Sequence, residues 1–188
     1  MARHLKDVIR AQSIAAREAR TESEIASAGA AIAAHDWNQL CTGELVTCFV
    51  SMATEPPTEQ LRNQLRALGK SVALPIMKPG RTLAWGFDGL SLEKNSYGIL
   101  EPISSDINID SATAIIIPAL RVGLDGSRLG RGAGYYDRAL ENLASYQNGG
   151  PRRIALVFDD EIDDSLPCEP HDALIDLIVT PSRIIEIV

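Results

Sequence analysis

The chain has 188 residues, of which 45% are hydrophobic and 23% charged, a composition typical of a globular protein with a substantial core. The formal net charge of −7 disfavours a general nucleic-acid-binding protein, because such proteins present a basic face. No apolar stretch has the length of a membrane span, and residues 1–20 lack the apolar core of a signal peptide. Three cysteines without a CxxC pair argue against a disulfide framework. We therefore expect a cytoplasmic protein that binds neither nucleic acid nor a membrane.

The N-terminal region, about 40 residues, has a helical pattern. Leu5, Val8 and Ile9 fall on one face of the first predicted helix. Residues 21–24 read Thr-Glu-Ser-Glu, the sequence of a capping box, in which the threonine and the second glutamate bind each other's backbone N–H groups. This box predicts a second helix that ends near Ala34.

Short apolar runs along the rest of the chain predict buried strands. They lie at residues 45–50, 72–76, 82–87, 115–117, 154–158 and 177–180, and residues 183–188 predict an edge strand. Between the first two strands, Thr58 is expected to cap a helix that runs to Leu68 and ends at Gly69. This alternation predicts an α/β fold, a single domain over residues 1–188. Its mostly parallel central sheet is flanked by helices in three layers, with the N-terminal helices added.

Ligands of such sheets bind beyond the carboxyl ends of the strands. Three segments are expected there: the loop that carries Glu55, the glycine-rich residues 128–137, and the segment with His171 and Asp172. Taken singly, a loop glutamate is usually solvated, an aspartate before a strand usually caps a turn, and a lone exposed histidine usually has no chemical role. The glycine-rich segment therefore carries most of the functional prediction.

Residues 128–137, the glycine segment, read Arg-Leu-Gly-Arg-Gly-Ala-Gly-Tyr-Tyr-Asp. The glycines at 130, 132 and 134 let a ligand approach the main chain closely. The segment leads into a predicted helix, whose first amide groups would face the same ligand. It is not a Walker A loop, because no Gly-Lys-Ser/Thr follows, and its glycine spacing differs from the Rossmann fingerprint.

Charged side chains indicate what the glycine segment binds. Arg128 and Arg131 supply planar cations that match phosphate oxygens, and Asp137 could hold the metal ion of a polyphosphate. A flexible turn is the simpler alternative, but two arginines inside the segment favour a phosphate site. The sequence therefore predicts a polyphosphate-binding site.

Five motifs together resemble the 5-formyltetrahydrofolate cyclo-ligases, also called 5,10-methenyltetrahydrofolate synthetases, over nearly the whole chain. The glycine segment is similar to the signature of that family. The other motifs are Lys-Asp-Val-Ile-Arg at 6–10, Phe-Val-Ser-Met at 49–52 with Glu55 after it, Tyr-Gly-Ile-Leu-Glu-Pro at 97–102, and Pro-His-Asp at 170–172. Their order and spacing carry the resemblance.

The resemblance implies an ATP- and Mg²⁺-dependent closure of 5-formyltetrahydrofolate to 5,10-methenyltetrahydrofolate. The partners implied are the reduced formyl-folate and ATP, and we expect a monomer. Catalytic roles are implied for Lys6, Arg131 and Tyr136. ATP contacts are implied for Lys6, Arg10, Arg128, Leu129, Gly130, Arg131, Gly132, Ala133, Gly134, Tyr135 and Tyr136. Folate contacts are implied for Arg10, Val50, Glu55, Tyr97, Arg131, Gly132, Gly134 and Tyr135, and Mg²⁺ ligation for Asp137 and Asp172.

Four positions depart from the usual pattern of the family. Ala133 replaces a glycine of the loop, Arg121 stands where a neutral residue is expected, Glu161 stands where many members have glutamine, and Tyr97 replaces a commoner phenylalanine or tryptophan. None of these changes removes a phosphate-binding or metal-binding group. Two alternatives therefore stay open: a diverged ATP-dependent enzyme with another substrate, and a non-catalytic nucleotide-binding module.

Overall fold

A computed structural model describes residues 2–89, 91–170 and 172–187. Its α-helices are α1 (Ala2–Glu18), α2 (Glu22–Ala33), α3 (Trp37–Leu40), α4 (Glu59–Ala67) and α5 (Tyr135–Leu140). Its strands are β1 (Leu45–Thr47), β2 (Ser71–Lys78), β3 (Thr82–Phe87), β4 (Leu92–Lys94), β5 (Leu100–Pro102), β6 (Ala114–Pro118), β7 (Arg121–Gly123), β8 (Arg128–Leu129), β9 (Arg152–Leu156), β10 (Ile162–Asp163), β11 (Leu177–Val179) and β12 (Ile184–Glu186). No helix in these ranges is long and apolar enough to cross a membrane.

Seven strands form the central sheet in the order β12-β11-β9-β6-β1-β2-β3. The five inner strands are parallel to one another, and β3 and β12 run antiparallel at the two edges. The strands predicted at 72–76, 82–87, 115–117, 154–158 and 177–180 correspond to β2, β3, β6, β9 and β11. The predicted α/β fold with a mostly parallel sheet is therefore confirmed.

Both faces of the sheet are buried, because alternate residues of each strand point to opposite sides. On β6, Ile116 packs in a cluster with residues of α2, α3 and α4, such as Trp37 and Leu61. Its neighbours Ile115 and Ile117 pack on the other face in a cluster with residues of α5. This two-sided burial explains why the strands have continuous apolar runs.

Several predicted strand boundaries differ from the structure by one to three residues. β1 ends at Thr47, so the strand predicted at 45–50 is too long. The edge strand predicted at 183–188 is the shorter β12, and Val188 lies outside the described residues. By contrast, α4 ends as predicted before Gly69, whose φ of +80° lies in the left-handed region that glycine favours.

The two predicted helix caps have different outcomes. The capping box at residues 21–24 is present and starts α2. Thr58 occupies the N-cap position of α4, but its side chain makes no capping hydrogen bond, so that prediction is wrong. Its hydroxyl instead donates to Phe49 O at 2.6 Å and accepts from Ser51 N at 3.2 Å. Thr58 thus closes the loop that carries Glu55.

The face that α1 turns to the protein is polar. Lys6, Ser13 and Arg17 are buried and share one side of the helix. Leu5 and Val8 are instead 51% and 40% exposed. Because its buried side carries cations, α1 brings positive charge to the carboxyl end of the sheet.

Two small sheets are not predicted from the sequence. One has the order β10-β7-β8, and the other pairs β4 with β5. Along the chain, β7 lies between β6 and the glycine segment, and β8 forms the first two residues of that segment. Arg121 on β7 donates two hydrogen bonds to Asp163 on β10, at 2.5 and 2.9 Å. The unexpected charge at position 121 therefore has a structural partner.

Candidate active site

A cavity of about 620 Å³ opens at the carboxyl ends of β1 and β6, the size of a small-molecule site. Its charged wall comes from α1, the glycine segment and the segment before β11, with Lys6, Arg10, Arg128, Arg131, Asp137 and Asp172. Its apolar wall comes from β2, β3, β5 and the segments next to β1 and β5, with Phe49, Val50, Met77, Leu83, Ile99 and Leu100. The predicted position beyond the strand ends therefore holds a real cavity.

Lys6 reaches the charged wall from α1. Its ammonium lies 2.6 Å from Asp172 Oδ2 and 3.0 Å from Glu169 Oε2, and the residue is only 5% exposed. Burial alone would lower the pKa of Lys6, but the hydrogen bonds and charges of Asp172 and Glu169 outweigh it and raise the pKa above its ordinary value. Lys6 is therefore a cation held between two carboxylates.

Arg10 joins α1 to the glycine segment. Its Nε donates to Gly130 O at 3.0 Å, and Nη1 donates to Asp7 Oδ1 at 2.6 Å. Gly132 has a φ of +94°, and a Cβ there would lie 3.2 Å from Arg10 Cζ. A side chain at position 132 would be strained and would crowd the arginine. Ala133, in contrast, is not among the residues with positive φ, so alanine fits there.

The two predicted metal ligands lie next to each other. Asp137 Oδ1 accepts from Arg128 Nη2 at 2.5 Å and from the backbone N–H of Ala173 at 3.3 Å. Ala173 directly follows Asp172. These contacts bring two carboxylates and two cations, Arg128 and Lys6, to one edge of the cavity.

Glu55 connects the two walls. Although a loop glutamate is usually solvated, Glu55 is only 6% exposed. Its Oε2 accepts from Met52 N at 2.9 Å, and its Oε1 lies 3.3 Å from Arg131 Nε. The loop after β1 is thus tied to the glycine segment by a partly buried ion pair.

Tyr136 places a buried hydroxyl at the cavity. Its ring packs edge-to-face on Trp85, with ring centroids 6.4 Å apart. The hydroxyl oxygen is buried and has no hydrogen-bond partner among the residues that the structure describes. Burial raises the pKa of Tyr136 above its ordinary value, so the phenol keeps its proton at neutral pH. It can therefore donate a hydrogen bond to a ligand.

A buried ion pair that sequence reasoning missed anchors α1. Arg17 donates to both carboxylate oxygens of Glu161 at 2.7 Å, and also to Ala119 O at 2.6 Å. Both side chains are almost fully buried. The seven-residue spacing from Arg10 to Arg17 places both on one helix face and could have indicated this role. Glu161, a departure from the family pattern, thus has a partner.

Most of the predicted site residues line this cavity. They are Lys6, Arg10, Val50, Glu55, every residue of 128–137, and Asp172. Tyr97 does not line it: the residue is 71% exposed in the turn between β4 and β5. His171 lies outside the described residues.

The model of the 5-formyltetrahydrofolate cyclo-ligase family matches residues 2–181. The chain belongs to this family. The 5-formyltetrahydrofolate cyclo-ligase of Mycolicibacterium smegmatis (strain ATCC 700084 / mc(2)155) is 36% identical over 151 residues, which cover 76% of each chain. That of Escherichia coli (strain K12) is 31% identical over 148 residues, covering 75% of this chain and 80% of the relative. The predicted resemblance is confirmed, and the protein is a ligase-family enzyme of folate metabolism.

Solved structures agree in fold. The 5,10-methenyltetrahydrofolate synthetase of Aquifex aeolicus has a TM-score of 0.78 at 20% identity, covering 97% of this chain and 93% of that one. The 5,10-methenyltetrahydrofolate synthetase of Mycoplasma pneumoniae has a TM-score of 0.73 at 18% identity, covering 94% of this chain and 98% of that one. At these identities the likeness concerns the fold alone.

The donor set at the cavity suits a metal that arrives with a nucleotide. Within the described ranges, no group of three or more His, Cys, Asp or Glu residues could hold a metal ion. Mg²⁺ is usually held by one or two carboxylates together with substrate phosphates. Asp137 and Asp172, which both line the cavity, fit that arrangement, because phosphate oxygens and water would complete the coordination.

Proposed function

We propose that this cyclo-ligase-family protein converts 5-formyltetrahydrofolate and ATP into 5,10-methenyltetrahydrofolate, ADP and phosphate. The formyl oxygen attacks the γ-phosphorus, and the bond from that phosphorus to the ADP oxygen breaks. Folate N10 then attacks the activated formyl carbon and loses its proton. The attack of N10 closes the ring, and the bond between that carbon and the phosphate oxygen breaks last, which releases phosphate and leaves the methenyl product.

The observation that carries the proposal is the meeting of cations from α1 and the glycine segment at one cavity beside an apolar wall. Phosphoryl transfer depends on positioning and on neutralising developing charge, so it needs cations rather than a protein nucleophile. Lys6, Arg10, Arg128 and Arg131 supply that charge from two elements that contact each other. In this proposal the glycine segment wraps the ATP, with Arg131 and Lys6 at the transferred phosphoryl group.

These cations must exchange partners when the nucleotide binds. Arg128 and Lys6 lie against Asp137 and Asp172. A Mg²⁺ ion bound to these two carboxylates would supply positive charge to the phosphate oxygens. Lys6 and Arg128 would then turn from the carboxylates to the phosphates, so that the total charge of the site stays nearly balanced.

Folate recognition is assigned to the other side of the cavity. Val50 lines it, and Glu55 offers a carboxylate, which suits the N–H donors of a pterin ring. Tyr97 lies outside the cavity, two residues before the cavity-lining Ile99. We assign it to the part of the folate that extends beyond the mouth of the cavity. Gly132, Gly134 and Tyr135 would face both substrates from the glycine segment.

Tyr136 is assigned a donor role in the transfer. Its neutral hydroxyl is buried, lacks a partner within the described chain, and belongs to a cavity-lining residue. A ligand oxygen that gains negative charge during the reaction would satisfy this group.

The test is an absorbance assay with purified protein, Mg-ATP and 5-formyltetrahydrofolate. Methenyltetrahydrofolate absorbs near-ultraviolet light that the substrate does not absorb, so the proposed activity gives a rising signal. Intact ATP binding without that rise would contradict the proposal. ATP consumption without the folate product would instead favour a diverged enzyme with another substrate.

A further inference from the structure

Three glutamates in the described part of the chain are buried, and they differ in their partners. Glu55 is paired with Arg131, and Glu161 is paired with Arg17. Glu101 is 9% exposed, and no lysine, arginine or histidine of the described residues forms an ion pair with it. A buried carboxylate without a cation is costly, so this residue requires an explanation.

The contacts of Glu101 leave half of its carboxylate without a partner. Oε1 accepts from Met77 N at 3.0 Å and from Asn95 Nδ2 at 2.8 Å. Oε2 receives no hydrogen bond from the residues that the structure describes. Glu101 lines the active-site cavity on its apolar wall, beside Leu100 and Met77. The carboxylate is therefore fixed at one oxygen and available at the other.

A second feature of the structure makes a negative charge on Glu101 unfavourable for folding. Glu101 on β5 is the register partner of Glu93 on β4. Like charges directly opposite in an antiparallel pair destabilise it. A neutral residue of the same shape would keep the contacts of Oε1 and avoid both costs. The retained charge therefore points to a ligand.

We propose that Glu101 is a substrate-binding residue whose carboxylate accepts hydrogen bonds from the N–H groups of the pterin ring. This proposal rests on the proposed function. Neutral N–H donors suit this carboxylate, because the surrounding wall is apolar and its other oxygen already binds neutral donors. Glu101 would thus bind the pterin in addition to Glu55, and it is held by β2 and the β4–β5 hairpin rather than by the loop after β1.

The substitution Glu101→Gln tests this role. The amide oxygen of glutamine can still accept from Met77 and Asn95, whereas its NH₂ group would oppose the donors of the pterin. We expect the Kd and the KM for 5-formyltetrahydrofolate to rise about 10- to 100-fold, as for loss of hydrogen bonds to a charged group. The KM for ATP should stay unchanged, and the free energy of unfolding should stay equal or increase.

Two further variants separate substrate binding from a structural role. Glu93→Gln removes the opposite, exposed carboxylate and should leave folate binding unchanged. Asn95→Ala removes one anchor of the hairpin but keeps the charge of Glu101, so it should weaken folate binding less than Glu101→Gln does. Equal losses in Asn95→Ala and Glu101→Gln, or a Glu101→Gln chain that unfolds, would show that Glu101 only holds the hairpin.

The outcomes also distinguish this proposal from the proposed function. If the unaltered enzyme forms methenyltetrahydrofolate and Glu101→Gln binds 5-formyltetrahydrofolate as tightly, the role of Glu101 is wrong and the function stands. If the unaltered enzyme forms no product, the proposed function itself fails. A rise in the KM for ATP alone would place Glu101 at the nucleotide and would overturn the pterin contact.

Discussion

The charged wall and the apolar wall of the cavity balance their charges differently. In the charged wall, Lys6 and Arg128 lie against the carboxylates of Asp172 and Asp137. In the apolar wall, Glu101 has no ion-pair partner within the described residues. One wall is therefore a set of neutralised ions, and the other holds one uncompensated charge.

This difference indicates how each substrate is selected. A wall of paired ions exchanges partners most readily with a ligand that carries both signs, such as a nucleotide with its metal ion. A buried carboxylate in an apolar wall favours a ligand with neutral N–H donors. Four substitutions test this division, and the first removes the ion pair that joins the two walls.

Arg131→Ala is expected to have the largest effect, because Arg131 contacts Glu55 across the two walls and is proposed to hold the transferred phosphoryl group. We expect kcat to fall by about 10³-fold or more, the range seen when a transition-state arginine is lost. Arg66→Ala is the matched control. Both side chains are 35% exposed and pair with a buried carboxylate, but Arg66 does not line the cavity. Similar kcat values in both variants would refute the role of Arg131.

Arg17→Met tests the support of the charged wall. It removes the guanidinium that binds both oxygens of Glu161 and leaves Arg20, 4.0 Å from Oε1, as the remaining cation, so denaturant titration should show the free energy of unfolding reduced by up to about 3–5 kcal/mol. Because α1 carries Lys6 and Arg10, the KM for ATP should rise more than that for the folate. Adding Glu161→Gln should recover part of the stability, since glutamine can still accept from Phe158 N. Equal changes in both KM values would contradict a selective link between α1 and the nucleotide.

The sequence predicts the central sheet better than the walls of the cavity. The apolar runs at β2, β6 and β11 are long enough to predict buried strands, and the glycine segment has a distinctive composition. The hairpins β7–β8 and β4–β5 have few apolar residues, so periodicity does not reveal them. Their existence depends on tertiary contacts.

Among the site residues, charge type was predictable but pairing was not. Arg131 and Asp137 stand in one recognisable segment, whereas Arg17 and Glu161 are separated by most of the chain. Their contact arises only when α1 crosses the carboxyl end of the sheet. Glu101 lies in a motif that supported the family resemblance, but its burial without a cation becomes visible only in three dimensions.

Asp172→Asn tests whether the charged wall is restrained by its own carboxylates. Without that charge, Lys6 keeps only its longer ion pair with the half-exposed Glu169, so metal-free ATP should bind about tenfold more tightly in isothermal titration with a chelator. The gain from added Mg²⁺ should shrink, because a metal ligand is lost. Asp160→Asn is the control: Asp160 is 64% exposed and pairs with Arg20, neither residue lines the cavity, and such surface pairs contribute little. Weaker metal-free binding in Asp172→Asn would contradict the restraint.

Ala133→Gly should have the smallest effect and concerns the departure inside the glycine segment. Ala133 lacks a positive φ, so glycine adds only freedom in the unfolded chain and should lower stability by about 0.4–1 kcal/mol with kcat unchanged. The reverse change one residue earlier, Gly132→Ala, meets a φ of +94° and a Cβ only 3.2 Å from Arg10 Cζ. Gly132→Ala should therefore raise the KM for ATP. A large loss of activity in Ala133→Gly would mean that the methyl group itself shapes the nucleotide site, since the backbone at position 133 does not require glycine.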